Sequence, residues 1–315
     1  MMELTNIASY LTSFLTFAGV YAVLALGLNM QWGFTGQFNI GIAGFFAVGA
    51  YTSAILTTPS SPAYLGGFGM PFLVGLLGAI IASTVLGLIV GLITARLRTD
   101  YLAIASIGIA EMVRLFVKNE DWLTNGVRGI AGIDRPLAGT VLDSGFAYLV
   151  IVALFVAGVY FLVERAYASP WGRVLRAIRE NEPATAAAGK SIAGFRLQAF
   201  VLGSAIMGLG GGLYAHFFGF LSPEAFMPLY GTFLVWVMLI AGGSGNNRGA
   251  ILGAIVVWGV WSGTDLLTGL LPSEHATQAA ALRVLLIGVL LQVILVLRPE
   301  GILPEKPPKL IARKR

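Results

Sequence analysis

The stretch PFLVGLLGAIIASTVLGLIVGLITA, residues 71–95, carries no charged side chain. About 20 mainly apolar residues cross the hydrocarbon core of a bilayer as one helix. Residues 71–95 therefore read as a membrane span. Working outward, further apolar runs separated by polar or Gly/Pro punctuation fall at 8–30, 38–57, 101–117, 146–163, 195–220, 229–243, 249–271 and 279–297. The fold class expected is all-α, a polytopic membrane protein of about nine transmembrane helices. The run from Gly33 to Tyr51 is so rich in glycine that it reads as a broken or re-entrant element, which leaves eight to ten spans open.

Composition agrees with this reading. The 315 residues are 57% hydrophobic and 11% charged, whereas an average soluble domain has about half and about a quarter. Twenty basic and fifteen acidic side chains are too few to cover a soluble globule of this size. A soluble enzyme, a nucleic-acid binder and a disordered chain are all excluded. The absence of cysteine removes disulfides, thiolate chemistry and cysteine-ligated metals. His216 and His275 lie far apart without flanking ligand spacing, so no metal site is expected; both read as capped helix ends near water. Met1 to Asn6 holds Glu3 and no Lys or Arg, unlike the flank of a cleaved signal peptide, and is expected to belong to the mature chain.

Basic residues are retained on the cytoplasmic side of a membrane. With the odd-numbered connections inside, that side receives Arg96, Arg98, Arg165, Arg173, Arg176, Arg179, Lys190, Arg196, Arg248, Arg298, Lys306, Lys309, Arg313, Lys314 and Arg315. Only Arg114, Lys118, Arg128, Arg135 and Arg283 remain for the other. The C-terminus is expected inside and the N-terminus outside. Two connections exceed simple turns: 164–193 inside and 118–145 outside. Residues 1–298 then form the membrane domain, and 299–315 a basic, proline-containing cytoplasmic tail.

No Ser or Thr stands beside a plausible His base, and no carboxylate pair has useful spacing, so no catalytic site is expected. ATAAAGKS at 184–191 would match a phosphate-binding loop if residue 184 were glycine, but it lies in a basic loop between two spans. Gly87/Gly91, Gly208/Gly212, Gly249/Gly253 and Gly259/Gly263 have the four-residue spacing of close helix packing. Gly208–Gly212, with Gly210 at its centre, also reads as a pliant point or path lining. Glu111 and Arg114 share one face of the fourth span, as a structural ion pair or as a substrate-adjacent gate. Asn29, Gln37 and Asn39 crowd the first junction, able either to bind a polar substrate or to satisfy broken helix ends. Inside, Arg173 to Gly189 alternates like a short amphipathic helix interrupted at Pro183. Within it, 182–189 reads as a short helix opened by Pro183 and closed by Gly189, projecting as a handle or lying on lipid headgroups. GQFNIGIAG at 36–44 and GNNRGAILG at 245–253 form a faint repeat, each a polar, glycine-bounded entry to a small-residue helix.

NMQWGFTGQFNIG at 29–41 with GAY at 49–51, GRVLRAIRENE at 172–182 and GGSG at 242–245 resemble the bacterial branched-chain amino acid ABC permeases over nearly the whole chain. DYLAI at 100–104 through Glu111, LTNG at 123–126 and Gly129-Ile130 resemble the LivM-type branch rather than its LivH-type partner. Asn125 and Arg128 depart from the family pattern, where small residues or paired glycines are usual. The resemblance implies a homologous LivH-type permease, two ABC ATPase subunits that hold ATP and magnesium, a soluble substrate-binding protein outside, and no cofactor on this chain. It also implies that Glu182, Pro183, Ala184, Ala187, Gly189 and Lys190 form the coupling helix seated on an ATPase. Asn29, Gln37, Asn39, Glu111 and Gly210 are the candidate path residues. The location implied is the bacterial inner membrane. A urea or short-amide permease of the same class, and an ion-coupled secondary carrier, are the alternative readings.

Overall fold

The computed structural model describes residues 2–94, 99–136, 139, 144–268 and 276–305. His275 and the basic residues at 96, 98 and 306–315 lie outside the described residues. Helices α1 (Met2–Leu28), α2 (Ile42–Thr57), α3 (Phe72–Thr94), α4 (Thr99–Asn119), α5 (Asp121–Thr124), α6 (Gly145–Ala168), α7 (Pro170–Glu180), α8 (Glu182–Ala187), α9 (Ile192–Phe218), α10 (Leu234–Gly242), α11 (Asn247–Thr268) and α12 (Ala276–Leu297) make up most of it. Strand pairing among the described residues is one two-residue antiparallel ladder, β1 (Ile130–Ala131) with β2 (Phe220–Leu221).

Helices α3, α6, α9 and the α1 segment from Ile7 on through the wide turn that ends at Gly33 are each long and apolar enough to cross a membrane. Residues 229–242 and 247–264 reach that standard as a pair, bent by 120° at Gly243–Asn246 into a hairpin. The chain is therefore a multi-pass membrane protein. Helix α4 has the length, but Asp100, Glu111, Arg114 and Lys118 lower its hydropathy. Helices α2 and α12 are apolar but shorter at 42–57 and 281–297.

Burial sorts the helices into an interior and a wrapping. From Ala22 to Leu28, α1 is buried on every side, and α2, the middle of α9 and nearly all of α10 are likewise enclosed. A helix that is apolar all round belongs inside. Helices α3, α4, α6 and α12 instead turn Leu77, Ile81, Ile104, Leu154, Phe161 and Val296 outward. Contiguous apolar exposure of that extent suits lipid and not water.

Glycine sets how closely the interior helices approach, since in lipid packing contacts replace the hydrophobic drive between helices. A Cβ on Gly211 of α9 would stand 2.2 Å from the Phe46 carbonyl of α2, and one on Gly208 would stand 2.2 Å from Ser83 Oγ of α3. Gly210 meets Leu24 of α1 in the same way, at 2.8 Å. The expectation of pliancy at Gly208–Gly212 is corrected: the helix is continuous there and three neighbours press on it. Gly87 and Gly91 receive α9, and Gly249 and Gly253 receive Gly242 and Met238 of α10. A Cβ on Gly263, by contrast, would meet nothing within 4 Å among the described residues.

The connections gather at two ends of the bundle. At one end, 30–41, α7–α8, Gly243–Asn246 and 298–305 meet; at the other lie 58–71, 119–136 and 219–228, joined by the β1–β2 ladder and by the Leu65 N–H bonded to the Trp122 carbonyl. His216 is buried here, not water-facing as its position in the sequence implied. Its ring bridges Ser53 Oγ at 3.0 Å and the Asp134 carbonyl at 2.6 Å.

Gly211→Ala is expected to cost about 1–3 kcal/mol through overpacking, seen as a lower apparent melting temperature in detergent. Gly263→Ala is expected to leave that temperature unchanged or raise it.

Candidate functional site

Helix α1 does not end cleanly. Its last turn widens into a π-helical turn, Asn29–Gly33, after which the backbone runs irregularly to Gly41 before α2 begins. Such a break frees backbone donors and acceptors inside an apolar body, where each unpaired group costs several kcal/mol. Side-chain amides take them up. Asn29 Oδ1 accepts the Gly245 N–H at 2.8 Å, and its Nδ2 donates to Asn247 Oδ1 at 2.8 Å, so the α1 break is pinned to the α10–α11 turn. Asn247 Nδ2 in turn donates to Glu164 Oε2 at 2.8 Å. Gln31 donates to the Phe200 carbonyl and to Ser204 of α9, and accepts from Asn39 Nδ2 at 2.7 Å. Asn39 Oδ1 caps the Gly41 N–H, while its carbonyl accepts from Trp236 Nε1. In this arrangement Asn29 and Asn39 are fully buried and satisfy broken helix ends, one of their two readings. Gln37 donates to the Arg196 carbonyl, but its Oε1 has no hydrogen-bond partner among the described residues.

The same end of the bundle carries α7 and α8. Ser169 caps α7, whose Gly172, Leu175 and Ile178 pack inward. The chain breaks at Asn181, not at Pro183: Asn181 Oδ1 caps the Ala184 N–H at 3.0 Å and Pro183 sits in the first turn of α8, where a missing N–H costs nothing. Gly189, at φ +75°, closes the segment in a left-handed turn. Thr185 is buried, whereas Glu182, Pro183, Ala184, Ala187, Gly189 and Lys190 are exposed. Arg196 holds Glu182 with both carboxylate oxygens, at 3.2 and 2.9 Å, and so fixes α8 to α9.

Arg179, three residues before α8, points into the protein. Its NH1 donates to the Gly33 carbonyl, and its NH2 reaches Glu305 Oε2 and Glu180 Oε1 at 2.8 Å each. Burial opposes its charge, yet Glu180 and Glu305 outweigh that and hold its pKa above the ordinary guanidinium value. Tyr167 donates to the other Glu305 oxygen at 2.8 Å, and Arg176 lies over the Tyr167 ring at 4.0 Å.

Charge also collects at the opposite end. Arg114 forks onto Glu111, at 3.0 and 2.5 Å, and lies 3.9 Å from Glu224, which takes Lys118 at 3.0 Å. Glu224 is the member of this group that the sequence did not single out. It arrives from the segment between α9 and α10, after Ser222 opens a short turn. Glu111 stands eight residues below the end of α4, about 12 Å down the helix axis, with 39% of its side chain exposed. A carboxylate at that depth is costly against lipid. Asn125 takes a left-handed conformation (φ 61°) after α5, and its side chain donates to the Gly129 carbonyl at 2.7 Å. Asparagine is the common substitute for glycine in that conformation, which accounts for one departure from the family pattern.

A buried frame of broken helices, an exposed short helix at one end and paired charges at the other define a membrane permease domain. Residues 10–295 match the family described as branched-chain amino acid transport system, permease component, and the chain belongs to that family. It is 32% identical to the probable branched-chain amino acid transport permease protein LivM of Methanocaldococcus jannaschii, over 92% of each chain. It is 30% identical to the high-affinity branched-chain amino acid transport system permease protein LivM of Escherichia coli K12, over 94% of this chain and 70% of that one. The LivH permease of Salmonella typhimurium is more distant, 24% identical over 77% of this chain and 80% of that one. No solved structure matched the chain.

Asn29→Leu removes a buried amide and strands the Gly245 N–H and Asn247 Oδ1. Each stranded group is expected to cost about 1–3 kcal/mol, read as a fall in apparent melting temperature in detergent larger than that of Gln37→Leu.

Proposed function

We propose that this chain is a LivM-type membrane-spanning subunit of an ATP-driven ABC importer for branched-chain amino acids. It forms the translocation path with a homologous LivH-type permease, takes its drive from two ABC ATPase subunits that bind ATP and magnesium, and receives substrate from a soluble binding protein. The observation that carries the reading is α8: a capped helix fixed to α9 by the Glu182–Arg196 pair, with Thr185 buried and its Pro183-Ala184 and Ala187 surface bare. A short helix held off the body in this way offers a groove-binding partner an apolar patch with a basic end at Lys190.

In this reading residues 1–298 are the permease domain with nine spans, α1–α4, α6 and α9–α12. The coupling loop is 164–193, the outer loop 118–145, and the tail 299–315. The N-terminus lies outside and the C-terminus in the cytoplasm of a bacterial inner membrane, as the basic residues require. The face of α4 that carries Glu111, Arg114 and Lys118 looks onto the path, because two cations and two anions including Glu224 avoid lipid there and suit a zwitterionic head. Gln37, with its free acceptor, stands at the other end of the route, while Asn29, Asn39 and Gly210 act through packing around it. This chain contributes shape and switching between outward and inward openings, with no bond chemistry of its own.

Deleting 182–188, or replacing Gly189 with Trp, is expected to leave the chain inserted but to abolish co-purification of the ATPase subunits; recovery of ATPase in wild-type yield would overturn the reading. In proteoliposomes, uptake of labelled leucine is expected to require ATP and to persist when ionophores collapse the ion gradients. Uptake stopped by an ionophore and indifferent to ATP would mark an ion-coupled carrier. Labelled urea taken up in place of leucine would move the substrate class.

A further inference from the structure

We infer that Arg179 and Glu305 form the joint through which the coupling loop moves the membrane helices. The inference rests on the reading of α8 just given. Three segments far apart in sequence converge on one guanidinium. Arg179 belongs to α7, the helix directly before α8. Its NH1 holds the Gly33 carbonyl, the last residue of the widened turn that ends α1. Its NH2 holds Glu305, in a segment that doubles back beneath the bundle after α12.

That segment is itself anchored. The Ile302 and Leu303 N–H groups donate at 2.9 Å to the Ala241 and Gly242 carbonyls, capping acceptors that the end of α10 leaves open. Asn246 Nδ2 donates to the carbonyls of Leu303 and Pro304 at 3.2 and 3.0 Å. Residues 301–305 thus form a strap clamped on the α10–α11 turn, with the Glu305 carboxylate as its free end. Tyr167, at the end of α6, takes the carboxylate oxygen that Arg179 leaves. A displacement of α8 and α7 therefore reaches α1 through Gly33, and the α10–α11 hairpin and α6 through Glu305.

The slot around the guanidinium is shaped for it. A Cβ on Gly245 would lie 2.7 Å from Glu305 Oε2 and 3.2 Å from Arg179 NH1, and one on Gly36 would lie 3.4 Å from Arg179 Cγ. Both glycines hold positive φ, +83° and +71°. Only 22% of the Arg179 side chain and 25% of that of Glu305 is exposed, so the pair is screened far less than a surface bridge. A fork held by a carbonyl and a carboxylate has fixed directions, which a lysine ammonium lacks. A cavity of about 70 Å³, lined by Glu164, Tyr167, the end of the α10–α11 turn at Gly245 and Asn246, and the start of α11, adjoins the joint and leaves that turn room to shift.

The test uses the whole transporter in proteoliposomes, with ATP hydrolysis and leucine uptake measured on the same vesicles. Arg179→Lys and Glu305→Gln are expected to keep the ATPase bound and hydrolysing while leucine carried per ATP falls at least about fivefold, the lower range of a site-to-site coupling. This chain has no cysteine, so Arg179→Cys with Glu305→Cys can be bridged by a short bis-methanethiosulfonate reagent, each cysteine thiol displacing methanesulfinate to form a reducible disulfide. The bridged pair is expected to regain uptake per ATP and to lose it on reduction, a response that a merely structural pair would not give. Unchanged uptake per ATP in both single variants overturns the joint, as does loss of the ATPase from these variants, which would make the pair a support for α8 docking. Failure of the coupling reading itself shows separately, as ATPase retained after 182–188 is deleted.

Discussion

A backbone group inside an apolar body must find its partner within the protein, and in this chain that constraint converges on the amide of Asn29. The carbonyl oxygen of that amide serves the turn between α10 and α11, and its nitrogen reaches Asn247, so two breaks more than 200 residues apart close on one another. A Cβ on Gly33 would lie 2.7 Å from the Gly245 nitrogen, which shows how little space separates the two segments. The faint repeat between 36–44 and 245–253 acquires a physical sense here. Each copy is an irregular entry to a small-residue helix whose polar groups are met from outside the copy, by Gln31, Thr232 and Trp236 for the first and by Asn29 for the second.

The helices were legible because apolar length is a strong signal when charges are this scarce. All nine apolar runs correspond to helices whose ends differ from the runs by a few residues, as at 195–220 against Ile192–Phe218. What periodicity does not reveal is which helices sit inside. Helices α2 and α3 read alike, yet α2 is enclosed and α3 wraps it, since enclosure depends on which of them α9 covers, and Gly208 and Gly211 bring its backbone against both. The same contacts explain why a glycine cluster that suggested pliancy is a clamp. Glycine loosens a helix only where nothing occupies the missing Cβ volume.

At the functional ends, local chemistry was readable and distant pairing was not. Pro183 and Gly189 announce a short helix because each acts on its own backbone neighbours, although the capping role of Asn181 was not read. Glu111 and Arg114 announce a pair because they stand one turn apart. Nothing local marks Glu224 as their companion, or Glu305 as the partner of Arg179, 126 residues away. A signal was nonetheless present: Arg179 lies one residue beyond Ile178, on the apolar side of α7, where a basic residue needs a buried acceptor.

The contrast between the glycine seams and the polar web also decides where the molecule can change shape. Along the seams, backbone faces backbone, and any slide brings a carbonyl such as that of Phe46 against a neighbouring Cα, so displacement meets steep repulsion. In the web, some partners are shared: Glu305 takes Arg179 and Tyr167 on its two oxygens, and the Asn246 amide reaches the carbonyls of both Leu303 and Pro304. Exchange among such partners costs little more than reorientation, because no group is left unpaired along the way. Movement of the interior helices as rigid units, steered from their polar ends, is therefore cheaper than bending them in the middle.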